Sequence, residues 1–271
     1  MDRDPFHRYV FDDGTVWTEF FHTESGYLLR FPDLADFEVS ADGTRVVGQP
    51  APDSDDVTVE HLYVNQLVPL AMSRQGRPAY HASGVTVPGG AVAFLGRTGA
   101  GKSTLAASFA LGGSAFLTDD ALLIEESETG CRLLPSHASL RLWDDSVEAL
   151  IDDDNPQAEP ISYSTKTRLL AGGGLAYADA WQPLLAAYVL TGEDAADISI
   201  APLNGLDRYM AWISNSFLLD IEDHELLAKH FEWTHRISAA VPTFSLEYPR
   251  DYGILPDIHD AIRQHVAKIY E

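Results

Sequence analysis

The stretch "AVAFLGRTGAGKSTLAASFALGGSAFLTDD", residues 91–120, constrains this chain more than any other. Five apolar residues run into Gly96-Arg97-Thr98-Gly99-Ala100-Gly101-Lys102-Ser103. That octet fits G-x-x-x-x-G-K-[ST], with a strand before it and a helix after it, as the phosphate-cradling loop requires. Gly99 and Gly101 let backbone N–H groups turn inward on a β-phosphate, and the N-terminus of the following helix adds positive dipole character. Lys102 reaches the β- and γ-phosphates, and the Ser103 hydroxyl suits Mg²⁺. Residues Gly96 to Thr104 are therefore the expected ATP-binding element, and the fold class is α/β around a P-loop. A short helix closed by Gly112-Gly113 leads into "FLTDD", which supplies Asp119 and Asp120 only 17 and 18 residues after Lys102. In most large P-loop ATPases the corresponding acid lies many tens of residues further on. The chain also has no LSGGQ-like transporter signature and no NKxD-like guanine reader.

A cradle by itself specifies nucleotide binding and no more. Transfer of a γ-phosphoryl group needs positioning, charge neutralisation and one carboxylate to accept the proton of the attacking hydroxyl. Two adjacent carboxylates facing Mg²⁺ can divide those jobs, although aspartates at a strand end also simply make turns. His81, fifteen residues before Gly96, falls on an expected strand. A lone histidine there is more often a satisfied half-buried residue than a functional one.

The remaining chain reads as a mixture of strands and helices with no internal repeat. "GYLLRFP" and "DFEVSADGTRVVG" suggest hairpins. "TVEHLYVNQLVPLAMSRQG" places Leu62, Val64, Leu67, Leu70 and Met72 at helical spacing, stopped by Gly76. Residues 1–75 are thus expected to form a small β-rich portion with one helix, and 76–271 the P-loop domain. "SAFLTDDALLIEESETGCRLLP" reads as two strands about a turn, and "PLLAAYVLTGEDAADISIAPL" as two strands about Gly192-Glu193-Asp194. "LDRYMAWISNSF", "DHELLAKHFEWTHRISAAV" and "PDIHDAIRQHVAKIY" read as helices, with a strand "TFSLEYP" between the last two. "DDSVEALIDDDNPQAEPISYSTKTRLLAGGG" looks the least ordered, and Asp152, Asp153 and Asp154 read as a solvated loop.

Charge narrows the partners. Asp and Glu number 41 against 18 Lys and Arg, a net charge of −23, with lysines only at 102, 166, 229 and 268. Such a surface repels nucleic acid and reads first as a solvated acidic exterior, as in a salt-tolerant host, with steering of a basic peptide the lesser alternative. The single cysteine, Cys131, excludes an internal disulfide or a multi-cysteine metal cluster. "MDRDPFHRYVFDDGTVW" lacks a signal-peptide pattern, and no run of about 18 apolar residues offers a membrane span. A cytoplasmic location, with no membrane partner and a possible homo-oligomer, is the expectation.

His81, the cradle, "LTDD" and Pro135-x-x-x-x-Leu140-Arg141-Leu142 together resemble the C-terminal catalytic domain of HPr kinase/phosphorylase. The resemblance covers residues 78–145 well and the rest loosely. The order of segments looks closer still to stand-alone HPr-kinase-like proteins, some of which accompany lasso-peptide biosynthesis and phosphorylate a serine of the precursor peptide. It implies an HPr kinase/carboxykinase-like catalytic domain using ATP and Mg²⁺. It also implies Asp120 as proton acceptor, His81 as the active-site histidine, Lys102 and Ser103 in their cradle roles, and Asp119 on the metal side. The family's glutamate beyond the Asp pair has no counterpart. "SHASLRLWDD" stands there instead, with His137 and Arg141 in its neighbourhood. Arg141 is the better phosphate or acid contact, and Lys166 or Arg168 stands for the family's late basic residue. The implied function is a kinase acting on a serine hydroxyl of a peptide or small protein. The alternatives are an ATP-binding regulatory protein without transfer activity and a small-molecule kinase.

Overall fold

The computed structural model describes residues 4–11, 13–128, 130–151, 161, 164–191 and 195–271. Asp152–Asp154 and the Gly192-Glu193-Asp194 turn lie outside the described residues. The chain divides into two compact units, one of Met1–Ala79, Glu159–Thr165 and Phe217–Phe231, the other of Tyr80–Ala158, Lys166–Ser216 and Glu232–Glu271.

The first unit begins as an antiparallel meander of β1 (His7–Val10), β2 (Val16–His22), β3 (Gly26–Phe31), β4 (Ala35–Ser40) and β5 (Val46–Pro50), paired in that order. Alternation puts Phe20, Leu29, Phe31, Phe37 and Val39 on one buried face, as a sheet covered on one side requires. Leu62, Leu67 and Leu70 close that core from the expected helix. That helix is not uniform. α1 (Asp56–Leu62), capped by the Asp55 carboxylate, passes into a π-helical turn over Tyr63–Leu67 and then α2 (Val68–Arg74). Pro69 has no N–H to close an α-helical bond onto Asn65. The Val68 N–H reaches instead to the Tyr63 carbonyl, five residues back. Phe217–Phe231 joins this unit through buried Leu219 and through Asp220, which accepts from the Tyr27 hydroxyl at 3.0 Å.

The second unit carries a nine-stranded sheet. Its strands are β6 (Ala79–Tyr80), β7 (Ser83–Val87), β8 (Gly90–Leu95), β9 (Phe116–Thr118), β10 (Leu122–Ser127), β11 (Gly130–Leu134), and, beyond a separate two-stranded pair, β12 (Ser139–Leu142) and β13 (Thr167–Leu170), the later strands β14 (Gln182–Leu190), β15 (Ser199–Pro202) and β16 (Thr243–Glu247). The helices are α3 (Lys102–Leu111), α4 (Asp144–Leu150), α5 (Gly205–Ile213), α6 (His224–Ala240), which begins in the first unit, and α7 (Leu255–Ile269). β8 is buried throughout: Val92 and Phe94 face one core, and Ala91, Ala93 and Leu95 the other. A strand covered on both sides reads as a continuous apolar run, which is how it stood out in the sequence. β8, β14 and β16 run parallel to one another as neighbours. Their C-terminal ends therefore share one edge, the edge where open α/β sheets place ligands.

Among its described residues, the segment after Arg141 holds regular structure that its composition does not suggest. It contains α4, because Val147 and Leu150 pack on the core, and β13, which pairs with β12. No helix among the described residues is long and apolar enough to cross a membrane.

Candidate active site

The cradle owes its shape to glycines. Gly96, Gly99 and Gly101 have φ of +143°, +81° and +96°, a region that L side chains avoid. Lys102 Nζ donates to the carbonyl oxygens of Gly96 at 2.7 Å and Arg97 at 3.2 Å. Burial lowers the pKa of this ammonium, Asp119 and Asp120 oppose that, and Lys166 adds to it.

The acids follow from β9, which pairs with β7 beside β8 and so delivers its C-terminal end next to the cradle. Asp119 is buried, and three donors converge on it. Ser83 Oγ and Ser103 Oγ donate to Oδ1 at 2.6 and 2.9 Å, and the Arg141 backbone N–H donates to Oδ2 at 3.1 Å. Desolvation and then the charge of Asp120 raise its pKa, against the pull of those hydrogen bonds. Asp120 differs. Burial also works against its charge, but Arg141, His81 and Lys166 outweigh burial and hold its carboxyl well below the usual range. Arg141 donates twice to Oδ2, from Nε at 2.8 Å and from a terminal nitrogen at 2.5 Å. Asp120 has φ of +69°, and Asp33 is the other non-glycine residue above zero among the described residues. Such backbone strain persists where surroundings over-determine it, commonly at working sites.

His81 lies with Nδ1 3.2 Å from the Asp120 carbonyl oxygen and 3.9 Å from its Oδ1. Desolvation pushes its pKa down to about 4 despite the neighbouring acid, so the ring is neutral at pH 7.

A cleft of about 210 Å³ joins these residues. Thr98, Gly99, Gly101, Lys102, Ser103 and Thr104 line it from the cradle, with His81, Asp120, Arg141 and Lys166 facing them. Asp119 stands behind Ser103 rather than on the lining. Gly96, Arg97 and Ala100 line a separate recess on the flank of the loop. Of the two late basic candidates, Lys166 belongs to the cleft, with Nζ 4.9 Å from the centre of the Trp143 ring. Arg168 is instead paired in register with Arg141, its Nε pointing to Ser139 Oγ at 3.5 Å. His137 is not on the lining.

The structure adds residues that sequence reasoning missed. Arg250, from the loop after β16, donates to the Gly99 carbonyl at 3.4 Å. Tyr248, Tyr252 and Leu255 follow the same strand into the cleft, and Trp143, Asp145 and Ser146 enter it from the start of α4. The signal for the first group was present in "TFSLEYPRDYGIL": polar and aromatic residues directly after a strand. Their relevance required knowing that this strand is parallel to the cradle strand, two places along the sheet. Ser83 carried no signal of its own; its importance comes from β7 lying between β8 and β9.

The donor set suits a hard divalent ion: a serine hydroxyl and a buried carboxylate, all oxygen. No cluster of three or more His, Cys, Asp or Glu occurs among the described residues. Mg²⁺ in phosphoryl-transfer sites keeps several waters and takes one or two carboxylates plus substrate phosphates, so it needs no such cluster.

No protein-family model matches this chain, and no curated protein matches it. Among solved structures it is similar to the Hpr(Ser) kinase/phosphatase from Coxiella burnetii, at 11% identity and a TM-score of 0.40, over 71% of this chain and 99% of that one.

Proposed function

We propose that this chain is an ATP- and Mg²⁺-dependent kinase that transfers the γ-phosphoryl group to a serine hydroxyl of a peptide or small protein. The observation that carries the reading is the division of labour between adjacent carboxylates at the cradle. Asp119 is bonded to the cradle serine, and Asp120 is bonded to an arginine at the cleft wall. A protein that only binds nucleotide has no use for the second, strained acid.

In this reading Ser103 and Asp119 hold Mg²⁺, which when bound neutralises charge on the β- and γ-phosphates. Lys102 exchanges its two loop carbonyls for phosphate oxygens. The acceptor oxygen bonds to the γ-phosphorus while the bond from phosphorus to the β–γ bridging oxygen breaks, leaving ADP. The hydroxyl proton passes to Asp120. Both Arg141 bonds go to Oδ2, so Oδ1, on the His81 side, is the oxygen assigned to that proton. A loose transition state asks little base strength of the acceptor carboxylate. Neutral His81 adds no positive charge to compete with Mg²⁺ or Arg141. The sequence resemblance favours a peptide-tailoring role of the lasso-precursor kind.

The test is a panel of peptides ending in Ser, Thr or Ala, beside free serine and HPr, incubated with ATP and Mg²⁺ and weighed by mass spectrometry. A phosphate on the serine peptides supports the reading. Labelling of free serine or HPr in preference to every peptide rejects the peptide acceptor, and ATP hydrolysis with no acceptor labelled rejects the kinase. Asp120→Asn is expected to keep ATP binding and lower transfer at saturating ATP by roughly 100-fold or more, as for loss of a positioned base.

A further inference from the structure

The phosphates account for the charged part of the cleft and leave its other end unassigned. Lys102, Ser103, Asp120, Arg141 and His81 define where a γ-phosphate belongs. Beyond the first turn of α3 the lining changes character. Thr104 Oγ1 lies 2.9 Å from Ser146 Oγ, Ser146 Oγ lies 3.1 Å from the Tyr252 hydroxyl, and that hydroxyl donates to Asp145 Oδ2 at 3.0 Å. This chain of hydrogen bonds fixes Tyr252 and the start of α4 to the cradle helix. Around it stand Trp143, Tyr252 and Leu255. Trp143 is 44% exposed, whereas Trp212 in the same unit is fully buried. With Lys166 Nζ over one face of its ring, Trp143 has its exposed part at the cleft wall, where the core has not claimed it.

We propose that Trp143 is the stacking platform for the nucleobase, so that the cleft recognises a nucleoside triphosphate rather than a polyphosphate alone. The proposal rests on the kinase reading for the placement of the phosphates. Lys166, held over the ring, fixes the indole at the point where the cationic and aromatic parts of the cleft meet. A triphosphate on the cradle carries its ribose and base out past Thr104, toward the Ser146–Tyr252 pair and the open indole. Base-on-aromatic stacking needs only a π-face, so it contributes affinity without hydrogen-bond readout.

The test compares ATP with inorganic tripolyphosphate, by calorimetry, on the wild type, Trp143→Ala and Trp143→Phe. The wild type is expected to bind ATP more tightly than tripolyphosphate. Trp143→Ala should lose about tenfold in ATP affinity, within the range of one base–aromatic stack, and keep its tripolyphosphate affinity. That retained affinity also shows an intact cradle. Trp143→Phe should hold most of the ATP affinity while losing the ATP-dependent quench of tryptophan fluorescence. An unchanged ATP affinity in Trp143→Ala, with or without a raised acceptor KM, overturns the platform and leaves the kinase reading standing. An equal loss for both ligands means that the ring shapes the cradle, and overturns it too. Absence of ATP binding in the wild type overturns both readings.

Discussion

Arg141 does the most with the fewest atoms. Its guanidinium holds Asp120 and its backbone N–H holds Asp119, so one residue of β12 fixes both carboxylates. The side chains of the Arg141–Asp120 pair are 13% and 8% exposed. Removing one partner of a buried pair strands the other charge, at a cost of about 3–5 kcal/mol. Arg141→Ala is therefore expected to lower unfolding free energy by about 3 kcal/mol in urea titration, the low end of that range because the cleft is wet. Adding Asp120→Asn should restore most of it, since the stranded charge is then gone. The pH dependence has a definite sign. The folded-state pKa of Asp120 is depressed, so its contribution is fully present above the unfolded carboxylate range and is lost as pH falls toward the depressed value. Without Arg141 the folded value rises toward the unfolded one, so that acid-side loss should shrink. Equal stability of Arg141→Ala and wild type across pH would show that the pair does not hold the acid.

Between strand β8 and helix α3, the cradle tests how much a glycine is worth by position. A Cβ at Gly101 would stand 3.2 Å from both an Arg250 nitrogen and the Tyr248 hydroxyl, whereas one at Gly99 meets nothing within 4 Å among the described residues. Both positions have positive φ, so each alanine carries a backbone cost of roughly 1–2 kcal/mol. Gly101→Ala additionally makes the tips of the Arg250 and Tyr248 side chains give way at the cradle. It is expected to lose ATP affinity well beyond Gly99→Ala in calorimetry; equal losses would mean that Arg250 and Tyr248 do not support the loop. The same element shows what the sequence could and could not reveal. Cradle, helix and acids are contiguous, so local pattern sufficed to place Lys102, Ser103, Asp119 and Asp120. Arg250 and Tyr252 are about 150 residues further along the chain and reach the cleft only because β16 adds in parallel beyond β14. Strand order is a long-range property that periodicity does not encode. The choice between Lys166 and Arg168 failed at a finer level. Residues two apart on a strand share a face, so alternation could not separate them; what separates them is that Arg168 lies on β13 whereas Lys166 precedes it. The π-helical turn was foreshadowed by Pro69, a residue that an α-helical interior does not accommodate.

Across the whole molecule, charge is distributed unevenly between cleft and remainder. Four of the 18 basic residues, Lys102, Arg141, Lys166 and Arg250, line the cleft beside three aspartates, so the remainder of the chain is more acidic than the total of −23 implies. Two ligands approach such a body differently. A nucleotide is repelled at long range and attracted at short range, so its encounter should depend only weakly on salt. A basic acceptor is attracted throughout, and opposite-charge steering raises association rates by about 10–10³-fold at low ionic strength. The Debye length shrinks from about 30 Å at 0.01 M to about 8 Å at 0.15 M, which removes most of that advantage between exposed charges. The expected outcome is a serine peptide flanked by Lys and Arg with kcat/KM at least about tenfold above its Asp- and Glu-flanked counterpart at 0.01 M salt. The ratio should fall toward unity by 0.15 M, with kcat for the basic peptide hardly changed. The measurement is initial rate against peptide concentration at both salts with ATP saturating. A preference that survives at 0.15 M would locate specificity in contacts at the cleft mouth. A preference for the acidic peptide would mean that Lys166 and Arg250, rather than the acidic surface, select the acceptor.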